Sequence, residues 1–301
     1  MGIEAGSVDS RPRLPPWLKV PLPGGPRYRG VHSLIERHRL HTVCQEARCP
    51  NMGQCFEEGT ATFLILGDVC TRRCRFCAIT SGRPFPSDPE EPRQVAEAVR
   101  TLGLRYAVVT SVTRDDLPDG GAAHFAATVT EIMKLSPHCL VEVLIPDFEG
   151  SEVALRQVVA AGPRVLNHNV ETVPSLYPLV RPGGDYGRSL ELLHRAKKRG
   201  ATTKSGMMLG LGEGVAEVHR VMDDLRQVGC DLLTLGQYLR PSREHLPVAR
   251  FYSPEEFDAL AEEARALGFS GVEAGPLVRS SYHAHRQASQ IVAETHRSPQ
   301  S

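Results

Sequence analysis

Short apolar segments alternate with segments of helical periodicity along most of the chain. Apolar segments rich in β-branched residues predict strands at 60–66, 105–112, 139–146, 164–170, 202–209 and 231–237. Stretches of helical character follow at 92–103, 121–135, 151–161, 187–199 and 214–228. This alternation is typical of βαβ units around a parallel sheet. With right-handed crossovers it predicts an α/β fold, a partial barrel with six strands rather than the eight of a full one.

Both ends of the chain depart from this pattern. Residues 1–40 are rich in proline and arginine, and the prolines are too frequent for a long helix, so we expect an extended arm. Near the other end, Ser253 and Pro254 begin a stretch that has the features of a capped helix. The chain is therefore divided into an N-terminal arm with a cysteine motif (1–58), a barrel (59–240) and a C-terminal extension (241–301).

Length and charge limit the kinds of partner. The 301 residues are 41% apolar and 23% charged, enough for one large core with extensions. The formal net charge is zero, so no overall field attracts nucleic acid or an anionic membrane. No apolar run has the length of a membrane span, and the N-terminus lacks the pattern of a signal or transit peptide. We expect a cytoplasmic protein with no nucleic-acid or membrane partner.

The eight cysteines are unevenly distributed, with six of them between positions 44 and 77. Cytoplasmic thiols are kept reduced, so a cluster of them more often binds metal or does chemistry than forms disulfides. Cys139 and Cys230 stand at the starts of apolar runs and are expected to be buried core thiols.

The sequence CTRRCRFC sets Cys70, Cys74 and Cys77 at C-x3-C-x2-C spacing directly after the first predicted strand. In a parallel barrel, active-site loops follow the carboxyl ends of strands. Three soft thiolates suit iron–sulfur or zinc, but the stretch offers no fourth Cys or His for zinc. A three-ligand iron–sulfur cluster leaves one iron open to a small molecule. This is our preferred interpretation, with zinc and reactive thiols as alternatives.

Arginines flank these thiols at positions 72, 73 and 75. Positive charge favours thiolate over thiol and offsets part of the negative charge of a cluster. Just upstream, CQEARCPNMGQC sets Cys44, Cys49 and Cys55 at C-x4-C-x5-C spacing, again without an obvious fourth ligand. A second cluster is the simplest interpretation, and a zinc-stapled loop is the alternative.

The motifs and their surroundings resemble a known family. C-x3-C-x2-C with an aromatic residue before the last cysteine, after the first barrel strand, resembles the radical S-adenosylmethionine (SAM) superfamily. From about residue 30 to 286 the chain resembles the lipoyl synthases in particular. The segments that carry this resemblance are CQEARCPNMGQCF, GTATFLILGDVCTRRCRFCAI, VVTSVTRDDLPDGGA, LNHNVETVPSLYPLVRP, TKSGMMLGLGE, LTLGQYLRPSREHLPV and AGPLVRSSYHA. The resemblance implies a partial (β/α)6 TIM-like barrel of the radical SAM type.

The resemblance also implies two [4Fe–4S] clusters and SAM as cofactors. Cys70, Cys74 and Cys77 would hold the cluster at which SAM is cleaved to methionine and a 5′-deoxyadenosyl radical. The motif Arg279-Ser280-Ser281-Tyr282 would supply Ser281, or less favourably Ser280, to an auxiliary cluster. Cys44, Cys49 and Cys55 would complete the ligands of this second cluster. An alkoxide is a poor ligand for a cluster iron compared with thiolate, which suggests a bond that breaks during the reaction.

The implied reaction inserts sulfur at C6 and C8 of an octanoyl group carried on a lipoyl domain, with the auxiliary cluster as the sulfur donor. The implied carriers are the E2 subunits of 2-oxoacid dehydrogenases and the H protein of glycine cleavage. The implied helpers are a ferredoxin or flavodoxin as electron donor and an iron–sulfur carrier protein. Competing interpretations are another sulfur-inserting radical SAM enzyme and a two-cluster electron carrier or zinc module. The CQEARCPNMGQC and RSSYHA pair argues against the first.

Three further polar residues are candidate SAM contacts. Asn169 and Glu171 end the fourth predicted strand, where they would hydrogen-bond the ribose or amino group of SAM, or form an ordinary turn. Lys204 lies early in the next strand and would pair with the SAM carboxylate, or with a structural partner. The segment QYLRPSREHLPV, with Arg240, Arg243 and His245, predicts a loop across the barrel mouth. This loop would contact the carrier domain or be solvated.

Overall fold

The computed structural model describes residues 14–20, 24–37, 40–46, 49, 51–57, 62–282 and 284. In these residues the strands are β1 (His41–Thr42), β2 (Thr62–Ile65), β3 (Val69–Cys70), β4 (Thr80–Ser81), β5 (Tyr106–Ser111), β6 (Leu140–Leu144), β7 (Val165–Asn167), β8 (Thr203–Leu209), β9 (Leu232–Gln237) and β10 (Gly271–Gly275). The α-helices are α1 (Pro26–Arg37), α2 (Val43–Glu46), α3 (Met52–Glu57), α4 (Glu91–Leu102), α5 (Ala122–Leu135), α6 (Glu152–Ala160), α7 (Tyr177–Val180), α8 (Tyr186–Lys198), α9 (Val215–Gln227) and α10 (Pro254–Ala266). Short 3₁₀ helices occupy Pro16–Leu18, Phe148–Gly150 and Pro174–Leu176.

The main sheet has the strand order β1-β2-β5-β6-β7-β8-β9-β10. All neighbours from β2 to β10 are parallel, and β1 pairs antiparallel with β2. Among the described residues β1 and β10 stand at opposite ends of this order, so the sheet is open. The expected α/β partial barrel is confirmed, and each of the six predicted strands and six predicted helices forms. In sequence order, these helices are α4, α5, α6, α8, α9 and α10.

A seventh parallel strand, β10, was not predicted from the sequence. It pairs with β9 over its whole length, from Gly271 beside Leu232 to Gly275 beside Gly236. Its sequence GVEAG has one large apolar side chain and two glycines, so the strand pattern is weak. The structure therefore attaches part of the range 241–301 to the barrel sheet.

The expected extended arm over 1–40 is wrong for Pro26–Arg37, which form α1. Proline is tolerated at the first turn of a helix, and the rest of the stretch is free of proline. Val31, Leu34 and Ile35 then recur at helical spacing and are buried against the barrel core. Much of the remaining arm, including residues 1–13, lies outside the described part of the chain.

Helices cover the barrel strands through apolar faces with helical spacing. Val95 and Val99 of α4 and Phe125 and Val129 of α5 pack into the core around β2, β5 and β6. A second cluster joins β8 and β9 to α9 and α10. The N-cap of α10 is as predicted, because Ser253 Oγ accepts a hydrogen bond from the amide of Glu256. None of the helices among the described residues combines the length and apolar character that a membrane span needs.

Candidate functional site

The chain leaves the first parallel strand through a tight bend. Leu66 and Gly67, directly after β2, have φ angles of 69° and 90°. A positive φ is unfavourable for leucine, so this conformation needs support from its surroundings. Glu91 accepts a hydrogen bond from the Leu66 amide at 2.8 Å, and Arg114 donates to the Leu66 carbonyl at 3.3 Å. These buried charged residues hold the bend that leads into the first cysteine motif.

Hydrogen bonds close the loop that carries the first motif. β3 pairs with β4, and the Gly82 amide donates to the Cys70 carbonyl at 2.9 Å. The sulfur of Cys70 accepts hydrogen bonds from the amides of Arg72 at 3.4 Å and Thr113 at 3.3 Å. These two amide donors fix the position of the sulfur atom in the loop. The loop therefore presents Cys70 as a prepared ligand.

The three thiols of this motif are close enough to influence one another's ionisation. Burial raises the pKa of Cys77 to about 12, and the charges of Cys74 and Cys70 act in the same direction. Burial also raises the pKa of Cys74 to about 11, again with a contribution from Cys70. Such thiols stay protonated at neutral pH unless a bound metal displaces the proton.

Both motifs offer thiolate donors, which suit an iron–sulfur cluster or zinc. In the part of the chain that the structure describes, no three or more His, Cys, Asp or Glu side chains are arranged to hold a single metal ion. A structural zinc would need four ligands around one ion. In a four-iron cluster each thiolate binds a different iron, so the ligands stand farther apart. Each group of three cysteines would therefore supply three of the four ligands that such a cluster takes.

Arg72 fixes the first motif to neighbouring strand ends. Its guanidinium pairs with Asp115 at 2.8 Å and with Asp147 at 2.7 Å, and 8% of its side chain is exposed. Against the effect of burial, Arg72 lowers the pKa of Cys74, as expected from the sequence. Arg181 lowers this pKa more than Arg72 does. The larger positive influence on Cys74 thus comes from outside the motif.

Asn169, Glu171 and Arg181 gather beside the first motif, at the end of β7. Burial raises the pKa of Glu171, and Arg181 and Asn169 oppose that effect. In addition to burial, Glu171 raises the pKa values of Cys74 and Cys77, which places its carboxyl group on the side of the cysteine loop. Arg181 donates to the Asn169 carbonyl at 3.0 Å. The structure thus brings Asn169 and Glu171, which the sequence predicted at a strand end, close to the first motif.

Sequence reasoning missed Arg181, whose side chain is buried after the apolar run YPLV of α7. The available signal was an arginine at the end of an apolar segment, because a buried arginine needs partners. Sequence reasoning also missed Glu91 and Arg114, the residues that hold the bend at Leu66. Their partners are backbone groups 25 and 48 positions away, and no local pattern reveals such contacts.

The second motif is built from α2, the segment after it, and α3. The Cys49 amide donates to the Cys44 carbonyl at 3.0 Å, and the Cys55 amide donates to the Asn51 carbonyl at 2.9 Å. Burial raises the pKa of Cys44 to about 12, and the charge of Cys49 raises it further. Burial also raises the pKa of Cys49, whereas Arg279 opposes that effect. Cys44, Cys49 and Arg279 therefore lie near one another.

The RSSY segment, residues 277–282, lies between the second motif and the barrel. On one side Asn51 donates to the Leu277 carbonyl at 2.6 Å, and the Tyr282 hydroxyl donates to Gln54 at 3.1 Å. On the other side Asn169 donates to the Ser280 hydroxyl at 2.7 Å. The half-buried Ser281 lies in the same turn. The segment therefore connects the second motif with the strand end that faces the first motif.

Lys204 is fully buried and has structural partners. Its ammonium lies 3.2 Å from a carboxylate oxygen of Glu142 and donates to the Ser280 carbonyl at 2.6 Å. Its predicted pairing with the SAM carboxylate stays a prediction. Asn169 differs, because its carboxamide oxygen is buried without a hydrogen-bond partner in the described structure. A ligand hydroxyl or amino group would satisfy that oxygen.

The loop after β9 lies over the first motif, as the sequence predicted for a loop at the barrel mouth. His245 Nε2 is 2.9 Å from the Cys77 carbonyl, and the Leu246 amide donates to the Arg75 carbonyl at 3.2 Å. Leu246 is buried in a small apolar cluster with Val180 and Tyr238. Arg240 and Arg243 remain exposed on this loop. The two buried core thiols expected at Cys139 and Cys230 are confirmed.

Comparison with protein families matches two parts of the chain. The Radical SAM superfamily matches residues 64–225, which hold the first motif and most of the barrel strands. The N-terminal domain of lipoyl synthase of the Radical SAM family matches residues 4–49, which include Cys44 and Cys49.

Full-length relatives extend this similarity over nearly all of the chain. Lipoyl synthase of Nitrosococcus oceani is 57% identical over 95% of this chain and 89% of its own length. Lipoyl synthase of Rubrobacter xylanophilus is 57% identical over 91% of this chain and 86% of its own length. Lipoyl synthase of Methylococcus capsulatus is 56% identical over 93% of this chain and 88% of its own length.

Solved structures with little sequence identity share the fold. Streptococcus suis SuiB bound to S-adenosylmethionine aligns with a TM-score of 0.58 at 8% identity, over 75% of this chain and 54% of that chain. The FeFe-hydrogenase maturase HydG from Carboxydothermus hydrogenoformans aligns with a TM-score of 0.56 at 15% identity, over 87% of this chain and 61% of that chain. At this level of identity the likeness concerns the barrel alone.

Proposed function

The chain belongs to the lipoyl synthase family of radical SAM enzymes, and we propose how its own residues are divided between the two clusters of that family. As a member it is a sulfurtransferase that inserts two sulfur atoms, at C6 and C8, into an octanoyl group bound to a carrier domain. Family membership implies two [4Fe–4S] clusters and SAM. When bound, one cluster and SAM supply the radical that removes hydrogen from carbon, and the other cluster supplies sulfur.

The proposal rests on one observation, the presence of two separate groups of three thiols with different surroundings. Cys70, Cys74 and Cys77 adjoin the strand end with Glu171 and Arg181, which offers polar contacts for a small molecule. The second group adjoins the RSSY segment instead, through Arg279 beside Cys49. The polar contacts of the first group suit SAM binding, and the serine segment beside the second group suits an auxiliary cluster with a serine ligand.

In this proposal the strand-end residues bind and orient SAM. The unpartnered oxygen of Asn169 accepts from an amino or hydroxyl group, and Glu171 accepts from a second such group. The guanidinium of Arg181 is a cation near Cys74 and suits a carboxylate. Lys204 is the second candidate for that carboxylate, although Glu142 and Ser280 already contact its ammonium. The roles proposed for Asn169 and Glu171 are those predicted from the sequence, whereas Arg181 takes precedence over Lys204 for the carboxylate.

The ligands of the auxiliary cluster are proposed to be Cys44, Cys49, Cys55 and Ser281. Ser281 is favoured over Ser280 because the Ser280 hydroxyl already accepts from Asn169 on the barrel side. Tyr282, directly after Ser281, contacts Gln54 next to Cys55, so the segment is held against the second motif. Seven residues would thus hold the two clusters, with Cys70, Cys74, Cys77 and Ser281 taking part in catalysis.

The proposed substrates are octanoylated lipoyl carrier domains, including the E2 subunits of 2-oxoacid dehydrogenases and the H protein of glycine cleavage. A ferredoxin or flavodoxin is proposed as electron donor, and an iron–sulfur carrier protein is proposed to rebuild the auxiliary cluster. We propose a cytoplasmic location, without nucleic-acid or membrane partners. The exposed Arg240 and Arg243 on the mouth loop support contact with an acidic carrier surface through faster association.

Mass analysis of a carrier domain tests this proposal. Anaerobically reconstituted protein should hold about eight iron atoms and about eight sulfides, as two four-iron clusters require. Incubated with SAM, dithionite and an octanoylated carrier domain, it should add two sulfur atoms to the carrier. SAM cleavage without any sulfur on the carrier would contradict the proposed function.

A further inference from the structure

Two buried residues at the inner face of the barrel contact one residue of the RSSY segment. Lys204 of β8 donates to the Ser280 carbonyl at 2.6 Å, and Asn169 donates to the Ser280 hydroxyl at 2.7 Å. Lys204 is fully buried, and 8% of Asn169 is exposed. Ser280 immediately precedes Ser281, so a contact that fixes Ser280 also restricts where Ser281 can lie.

Lys204 is itself held in place by a buried polar network. Glu142 lies 3.2 Å from the ammonium, and its carboxylate accepts from Tyr106 at 2.7 Å and from Asn167 at 3.1 Å. A buried ion pair is stable only when further hydrogen bonds satisfy both charges. For Glu142 these bonds come from the barrel, whereas for Lys204 the additional acceptor is the Ser280 carbonyl. The network therefore directs one ammonium hydrogen out of the sheet toward the RSSY segment.

The backbone of the RSSY segment lies close to β9. A side chain at Gly236 of β9 would meet the Val278 carbonyl oxygen at 2.1 Å, so the segment lies directly against this strand. On its far side the segment contacts Asn51 and Gln54 of the second motif. The segment is thus held between the barrel and the second motif at several points.

We propose that Lys204 and Asn169 are positioning residues for the auxiliary cluster, because together they hold Ser280 and so set where Ser281 stands relative to Cys44, Cys49 and Cys55. This inference rests on the proposed role of Ser281. Lys204 then acts on the auxiliary cluster indirectly, because it holds the backbone of Ser280 next to Ser281. It also gives Asn169 two tasks, since one residue then faces both the SAM side and the serine segment.

A double substitution tests the inference without leaving a charge buried alone. Glu142→Gln/Lys204→Met removes the ammonium and the carboxylate together and keeps side chains of similar volume. The matched control is Lys197→Met, which removes an ion pair with Asp231 at the surface. The first readout is hydrogen exchange, by mass spectrometry, of the peptide that covers 277–282 in the reconstituted protein. We expect about tenfold faster exchange there in the double variant, unchanged exchange over β5, and no change in the control.

The second readout is the rate at which a chelator removes iron in a Cys70→Ala/Cys74→Ala/Cys77→Ala background, where the remaining iron reports the auxiliary site. The double variant should lose this iron faster, as should Ser281→Ala. Unchanged exchange over 277–282 would overturn the inference. The inference would also be overturned if the double variant exchanged faster over 277–282 but lost iron at the parental rate, while Ser281→Ala lost iron quickly.

The two proposals can fail separately. Parental iron loss in Ser281→Ala would reject the serine ligand, and with it the effect on the auxiliary cluster that is assigned here to Lys204. Suppose that exchange is faster in the double variant but Ser281→Ala loses iron at the parental rate. Lys204 would then hold residues 277–282 in place, but the segment would supply no ligand to the auxiliary cluster. A matching result with Asn169→Ala, in which exchange over 277–282 accelerates, would support the inference a second time.

Discussion

Around Cys74 a buried cation and the carboxyl group of a half-buried glutamate act in opposite directions. Burial is the main influence on the pKa of Cys74, Arg181 lowers this pKa, and Glu171 raises it. The sequence identified Glu171 by its place at a strand end, but Arg181 directly follows α7 and is brought to Cys74 only by the fold. Lys204, which the sequence did identify, contacts Glu142 and Ser280. We propose Arg181, which also donates to the Asn169 carbonyl, as the cation that pairs with the carboxylate of SAM.

Substitution of Arg181 tests that assignment. Loss of a hydrogen-bonded charged group is worth about 2 kcal/mol, so Arg181→Gln should weaken SAM binding about thirtyfold. Arg181→Lys keeps the charge and should lose less. Equilibrium binding of SAM to the reconstituted protein measures both. The matched control is Arg195→Gln, which breaks a surface ion pair with Glu191 and should bind SAM like the parent. Equal affinity in Arg181→Gln and the control would contradict the assignment.

His168 provides a pH-dependent prediction at the same scale. Burial lowers the pKa of His168 from 6.5 to about 4, and its Nδ1 lies 2.8 Å from the Ile145 carbonyl. An unfolded chain takes up this proton near pH 6.5, whereas the folded chain does so near pH 4, so its contribution to stability is lost as pH falls through that window.

Histidine NMR spectra measure this directly. The resonance that is missing from a His168→Gln spectrum should keep the chemical shift of a neutral imidazole from pH 7.5 down to 5.5. A midpoint near pH 6.5 for that resonance would show that the ring is not buried as described.

At the scale of elements, hydrophobic periodicity was sufficient to predict most strands and helices of the barrel. β2 and β5 to β9 and their helices lie within a few residues of the predicted ranges, because their apolar spacing is regular. α1 was missed because its one proline, Pro26, lies at the start rather than inside the helix. β10 was missed because backbone pairing with β9, rather than its own side chains, makes it a strand. The strand character of β10 thus depends on pairing with an element that is distant in the sequence.

Gly236 of β9 gives a prediction for an element. A Cβ at this position would meet the Val278 carbonyl oxygen at 2.1 Å, so Gly236→Ala should displace the RSSY segment while leaving the parallel sheet paired. Gly214→Ala is the matched control, because its Cβ would meet only the flexible side chain of Glu217 at 3.5 Å. Hydrogen exchange should accelerate over 277–282 in the first variant and stay parental in the second. Parental exchange in Gly236→Ala would show that the segment does not need this close approach.

At the scale of the whole molecule, described segments from before and after the barrel strands meet beside the barrel. β1 and the second motif join one edge of the sheet, and the RSSY segment returns from the far end to contact Asn51 and Gln54. Cysteine spacing alone predicted two groups of thiols, and the family resemblance alone linked Ser281 to one of them. Sequence could not show that Asn169 and Lys204 contact Ser280, because these contacts span 111 and 76 positions. Contacts at such separations arise from the tertiary fold and leave no local pattern in the sequence.

The central claim is that one group of thiols would hold the cluster that serves SAM cleavage, and the other would hold the cluster that supplies sulfur. The most direct measurement is a single-turnover incubation of the Cys44→Ala/Cys49→Ala/Cys55→Ala variant with SAM, dithionite and an octanoylated carrier domain. Both 5′-deoxyadenosine and sulfur on the carrier are quantified in the same sample, beside a Cys70→Ala/Cys74→Ala/Cys77→Ala variant that should form neither. The first variant should form 5′-deoxyadenosine and leave the carrier free of sulfur. Sulfur on the carrier in that sample would contradict the account.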